Sequence, residues 1–214
     1  RKEWTANYDA LCGAEHRKWR MQFHPRYGLA VTDGLFMTSR DGKSFRRWNE
    51  AFLRPGPESP NRWVYGDGYA AYGLIATPTG VEGEDDELSF YATGNDWSDT
   101  PVQLFRYTLR LDGFVSRSAP YAGGEVVTQP LCFAGDALHI NFATSAAGSL
   151  RVVIEDEAGN ALSGFDSGEL FGDAADRAVH FDGNLAALAG QPVRLRFILR
   201  DADLYAFQFC TEGK

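Results

Sequence analysis

No stretch of this sequence approaches the ~18 consecutive apolar residues that a membrane-spanning helix needs, so no membrane association is expected. Positive charge is also in deficit, with 21 Lys and Arg against 29 Asp and Glu, a net charge of −8 and a pI near 5.0. A chain of that sign repels phosphate backbones and anionic lipid surfaces, and nucleic acid is not an expected partner. Cysteine is scarce: Cys12, Cys132 and Cys210 have no C-x-x-C spacing and do not read as a zinc site. Cys132 ("PLCF") and Cys210 ("FQFC") sit in apolar runs, where buried inert thiols are expected. A disulfide between them is the alternative if their strands are neighbours. Also missing are H-E-x-x-H, G-x-S-x-G and G-x-x-x-x-G-K-[ST], so zinc protease, serine hydrolase and P-loop chemistry lack support. The chain opens with Arg1-Lys2-Glu3-Trp4 and carries no signal-peptide pattern, which reads as a processed product or a piece of something longer.

Apolar residues at 44% and aromatics at 14% can build real cores in one large all-β domain or two modest ones. Residues 1–26 are locally basic and lack period-2 alternation, which predicts an irregular segment or an incomplete strand pair. From residue 29 the pattern turns to β. "LAVTDGLFMTS" and "FRRW" read as strands around turns at Asp33-Gly34 and Asp41-Gly42. The prolines of "LRPGPESPNRW" exclude regular structure. "VYGDGYAAYGLIAT", "ELSFYATG" and "QLFRYTLRLDGF" read as further strands. Two stretches share the layout of strand, Asp-containing turn and aromatic strand at a spacing of roughly fifty residues, as propeller blades do.

After Asp112-Gly113 aromatics thin out and alternation becomes strict. "ALHINFAT", "SLRVVIEDEAGN", "PVRLRFIL" and "LYAFQF" place Leu138, Ile140, Phe142, Leu150, Val152, Ile154, Val193, Leu195, Phe197, Leu199, Tyr205, Phe207 and Phe209 inward. "NLAALAGQP" is the only helical-looking turn. The expected architecture is all-β: partial propeller blades over 1–112, then an antiparallel jelly-roll-like β-sandwich over 113–214.

The strings "YGLAVTDGLFMTSRDGKSFRRWNEAFLRPGPE", "RWVYGDGYAAYGL", "ELSFYATG", "RYTLRLDGFVS" and "GGEVVTQPL…PVRLRFILRDADLYAFQF" are similar to the C-terminal half of bacterial secreted proteins related to glycoside hydrolase families 32 and 43. That resemblance spans nearly the whole chain. It implies a five-bladed propeller followed by a sandwich, a secreted or periplasmic location, an oligo- or polysaccharide partner, and hydrolysis by paired carboxylates. Only the last two blades or so are present, so the first-blade carboxylate of those families is not expected here.

Glycoside hydrolysis needs two carboxylates flanking the bond, and sugar sites need flat rings for the C–H faces of the pyranose. "NRWVYGDGYAAYG" supplies both, with Asp67 between two glycines and Trp63, Tyr65, Tyr69 and Tyr72 around it; alternation predicts Trp63, Tyr65 and Asp67 on one side of a strand. Asp33 is the second candidate carboxylate, the bland reading of each being an ordinary turn aspartate. His24 and Arg26 of "FHPRYG" are candidate substrate contacts. Asp41, in "SRDGKSF", resembles an Asp-box corner and is expected to tie a hairpin. The acidic run from Glu82 to Glu87 reads as a solvated loop, with structural calcium as its alternative; Asp201 and Asp203 are a second calcium alternative, a strand-connecting turn being their default. No cofactor is expected. Open blade edges predict self-association, or a basic N-terminal segment folded across the edge.

Overall fold

The computed structural model describes residues 3–59, 62–63, 65–98 and 100–211. Arg1 and Lys2 of the basic segment, and Val64 of an expected strand, lie outside them. The protein is all-β in class, with one short α-helix and two 3-10 turns among the described residues. The chain divides into two units, residues 1–76 with 88–108 and residues 77–87 with 109–214. Charge is split between them. The first has thirteen Lys and Arg against ten Asp and Glu, the second eight against nineteen.

The second unit is built on one antiparallel sheet. Its strands are β6 (Arg117–Ala119), β7 (Gly124–Val127), β8 (Ala137–Glu155), β9 (Ala161–Leu170), β10 (Asp173–Val179) and β11 (Arg194–Cys210). The order is β10-β8-β11-β6, with β9 also on β8 and β7 also on β11. Here the structure departs from the four short strands that alternation predicts: they are joined pairwise into the long β8 and β11. The two long strands approach most closely where Gly148 meets β11. A Cβ on Gly148 would lie 2.3 Å from the Asp201 carbonyl oxygen and 2.6 Å from that of Arg200, so only glycine lets the strands cross there. Asp201 sits in the left-handed region at φ 43° and the register slips between Arg200 and Ala202. That bulge changes the parity of the strand. Leu195, Phe197 and Leu199 enter the core before it, Ala202 and Leu204 after it. A second slip follows between Leu204 and Ala206. The expected inward Tyr205 instead lies under the Arg110 guanidinium, 4.4 Å from its ring centre, and Phe207 stays over a third exposed.

Period-2 alternation is otherwise followed closely. Leu138, Ile140, Phe142, Leu150, Val152, Ile154, Leu195, Phe197 and Leu199 are all essentially buried in one cluster. Each contributes on the order of 1.5–3 kcal/mol of transfer free energy. The same alternation corrects the expectation for Cys132. Leu131 and Phe133 face this core, so Cys132 between them faces out and is exposed. No Cys132–Cys210 disulfide forms.

The first unit is organised differently. It contains α1 (Ala14–Met21), β1 (Gly34–Thr38), β2 (Arg46–Leu53), and most of β3 (Ile75–Thr77), β4 (Glu87–Gly94) and β5 (Gln103–Arg110). Only Phe90 and Ala92 are buried apolar residues among its described positions, against the buried polar Arg17, Arg20, Asp67 and Ser89. Rings of Phe36, Phe52, Phe90 and Tyr107 meet in succession at 5.6, 5.5 and 5.3 Å, the first pair tilted and the other two stacked, and supply apolar packing.

The helix corrects the irregular or stranded reading of residues 1–26. "AEHRKWRM" has no apolar stripe to announce a helix, because its inward face is arginine. Arg17 donates to the carbonyls of Cys12 (2.8 Å), Trp63 (2.9 Å) and Gly28 (3.3 Å), and pairs with Glu58 at 3.8 Å. A fork of five N–H donors thus replaces hydrophobic contact as the anchor.

β1 and β2 form the antiparallel hairpin expected around Asp41. Asp41 Oδ1 accepts from the amides of Lys43 (2.8 Å) and Ser44 (2.7 Å) and from the Ser39 hydroxyl (3.0 Å). These bonds hold its carboxyl down to about 2, so this aspartate is a structural corner.

Candidate functional site

Asp67 sits in a tight turn over residues 65–68, where the sequence predicts a strand. The flanking Gly66 and Gly68 adopt φ of 99° and 79°, which side-chain-bearing residues avoid, and only Ile75–Thr77 of the expected strand is formed. The turn brings the Asp67 carboxylate inward, 7% exposed, onto a narrow cleft of about 40 Å³. Thr32, Arg54, Arg62, Asn95 and Tyr107 line it as well. That volume admits a few waters or one polar substituent, and a sugar ring would have to rest outside.

Burial pushes the Asp67 carboxyl above the usual carboxylate range. The Asp96 amide, donating to Asp67 Oδ1 at 2.9 Å, pulls against the rise, the Asp96 charge adds to it, and Arg20 and Arg62 oppose it. The carboxylate acting on Asp67 is therefore Asp96, on the loop after β4. Asp33 is exposed at the foot of β1, and neither it nor Asp96 is a lining residue of the cleft. Its neighbour Thr32 does line it, and Thr32 Oγ1 accepts from the Gly66 amide at 3.0 Å, holding the Asp67 turn.

The expected ring residues separate into two roles. Trp63 is half-buried with φ 60°, and its indole N–H donates to the Gly56 carbonyl at 2.6 Å, so it braces the proline-rich loop. Tyr65 stacks on Tyr27 at 4.3 Å, and Tyr27 also meets His24 (5.0 Å) and Trp97 (5.1 Å). Trp97 follows Asp96 in the chain and is 40% exposed; Tyr69 is 59% exposed. His24 is exposed, its Nδ1 accepting from the Arg26 amide at 3.2 Å, and the Arg26 side chain is exposed too. The structure thus gathers His24, Tyr27, Tyr65 and Trp97 into one ring cluster that adjoins the Asp67–Asp96 pair through the Asp96-Trp97 peptide.

Sequence reasoning missed Asp96 and Arg20. "GNDWSD" carries a turn signal beside a tryptophan, which marks a loop, and nothing in the string says which aspartate the loop will face. Among the described residues, His, Cys, Asp and Glu side chains nowhere gather in threes as a metal ion would require. Comparison with known protein families, curated proteins and solved structures returned no match.

Proposed function

We propose that the first unit is a carbohydrate-active site of glycoside hydrolase type, with Asp67 as the general acid and Asp96 as its companion carboxylate. The observation that carries the reading is the buried Asp67 carboxyl on a cleft, its pKa raised by burial and by the nearby Asp96 charge. The substrate class is proposed from the sequence resemblance alone, no family model matching the chain. The glycosidic oxygen would enter the cleft while the sugar face rests on an exposed ring such as Trp97 or Tyr69. Turnover of a panel of aryl glycosides and polysaccharides tests this: wild type hydrolyses at least one, and Asp67→Asn and Asp96→Asn lose turnover while retaining affinity. No turnover by wild type on any member sinks the catalytic reading.

The narrowness of the cleft favours a second reading, a non-catalytic module that grips a sugar edge. It expects affinity-gel retardation by a polysaccharide without hydrolysis, weakened by Trp97→Ala. Both readings carry a secreted or periplasmic location as a proposal. Self-association through open sheet edges is proposed with them, supported by the exposed Leu35, Met37 and Leu104 on β1 and β5.

A further inference from the structure

The loop that carries Asp96 has an unfavourable backbone. Asn95 and Trp97, on either side of Asp96, have φ of 61° and 50°, in the left-handed region. Asparagine tolerates that region, whereas a bulky indole pays a steric penalty there. Such a conformation persists only where surrounding groups hold it. Within the loop, the Ser98 hydroxyl donates to the Asn95 carbonyl at 2.8 Å. From outside, the Trp97 carbonyl receives two side chains of α1, His16 Nε2 at 2.5 Å and an Arg20 Nη at 3.4 Å. Nε2 is the donor in the first of these, because a carbonyl only accepts. The indole meets Tyr27 edge-on at 5.1 Å and Phe23 at 5.8 Å. Helix α1 and the residues just after it therefore hold a loop that the chain's own preferences would relax.

We propose that Arg20 is a positioning residue, a buried cation on α1 that holds the Asn95–Trp97 loop, and with it Asp96, against Asp67. The inference rests on the reading of Asp67 as proton donor and Asp96 as its companion. The link is short. Asp96 meets Asp67 through its amide, 2.9 Å from Oδ1, and the carbonyl of the very next residue is the one that Arg20 receives. Arg20 is 1% exposed, whereas Arg54 and Arg62 at the cleft are exposed. Salt and water screen a buried charge least, so Arg20 acts on the site at nearly full strength. Among the described residues, the charges that act on Asp67 are Asp96 from the loop after β4, Arg20 from α1 and Arg62 from the proline-rich segment. Arg54 and Tyr107 are the other titratable groups lining its cleft. Arg20 opposes the rise that burial and Asp96 impose on the Asp67 carboxyl, so the same side chain that fixes the loop also moderates the proton affinity. Arg17, one turn earlier, anchors the helix by its bonds to three carbonyls and leaves Arg20 to serve the loop.

The test is NMR across a pH titration of the whole chain, with the Asp67 carboxyl carbon, the Asp96 amide and the Arg20 guanidinium as probes. In wild type the Asp96 amide proton is expected to follow the Asp67 carboxyl through its transition, and the guanidinium signals should report the same midpoint. Arg20→Met should uncouple the Asp96 amide from that transition and speed its hydrogen exchange. Arg20→Lys keeps the charge without the planar fork and should recover the coupling only in part. A residue that merely packs the helix would lower the unfolding midpoint and leave the coupling as in wild type. On any glycoside that wild type hydrolyses, Arg20→Lys should lose about tenfold in kcat with KM little changed. If wild type hydrolyses none while the amide uncouples as expected, Asp67 is not a catalytic acid and Arg20 still positions the loop. The proposal is overturned if the Arg20 signals ignore the Asp67 transition in wild type, a measurement that needs no variant to fold. It is overturned equally if the Asp96 amide follows Asp67 in a folded Arg20→Met or Arg20→Lys protein as it does in wild type.

Discussion

Replacing Asp67 by asparagine and by alanine separates its charge from its hydrogen bond. The folded protein holds this carboxyl above its ordinary value of about 3.9. The folded state therefore binds a proton more tightly than the unfolded chain. Stability from this group is complete below the unfolded pKa and declines as pH rises through the folded one. Above the folded pKa, where Asp67 is ionised, its buried charge is a net cost, at ~1.4 kcal/mol for each unit by which the pKa is raised. Asparagine keeps an Oδ1 to accept the Asp96 amide and carries no charge. Asp67→Asn should therefore be at least as stable as wild type at neutral pH, and the advantage should vanish near pH 4. Alanine removes the acceptor and leaves the Asp96 N–H unsatisfied beside a buried cleft, a loss of ~1–3 kcal/mol that offsets the relief of charge. Denaturant unfolding of the three proteins at both pH values reads these differences directly. Should Asp67→Asn lose as much stability as Asp67→Ala at neutral pH, Asp67 is stabilised as a carboxylate, and its assignment as a proton donor fails with it.

Other consequences can be checked on the same material. Gly148→Ala places a methyl against two β11 carbonyls and should cost ~3 kcal/mol in denaturant unfolding, with an unchanged midpoint disproving the tight crossing. Arg17→Met strands the carbonyls of Cys12, Gly28 and Trp63 and should cost about 3 kcal/mol. Arg17→Lys, a single point donor, should recover little of it. Asp41→Ala should speed hydrogen exchange at the Lys43 and Ser44 amides; in wild type the protection holds above the ordinary Asp range and fades as pH falls toward about 2. Light scattering should report a species heavier than the monomer, reduced to monomer by Met37→Lys, if the open edges self-associate.

The hairpin corner at Asp41 was legible in six letters, since Ser39, Asp41 and Gly42 make their bonds within the turn itself. The Asp67 site was half legible. Gly-Asp-Gly announces an unusual backbone, but the strand parity invoked for Trp63, Tyr65 and Asp67 does not apply in a turn whose glycines have positive φ. The partner Asp96 comes from 29 residues away, and no local pattern encodes that approach.

Alternation along the chain was enough to determine the all-β class and the interior of the second unit, from Leu138 to Leu199, because side chains on a pleated strand alternate whatever the strand pairs with. Tertiary structure alone decided that four short strands become two long ones, that Ala202 and Leu204 replace Tyr205 in the core, and that a helix turns arginines inward. Each of those outcomes depends on backbone groups far away in sequence, the Asp201 carbonyl over Gly148 and the Trp63 carbonyl that receives Arg17, and such groups carry no side-chain signature.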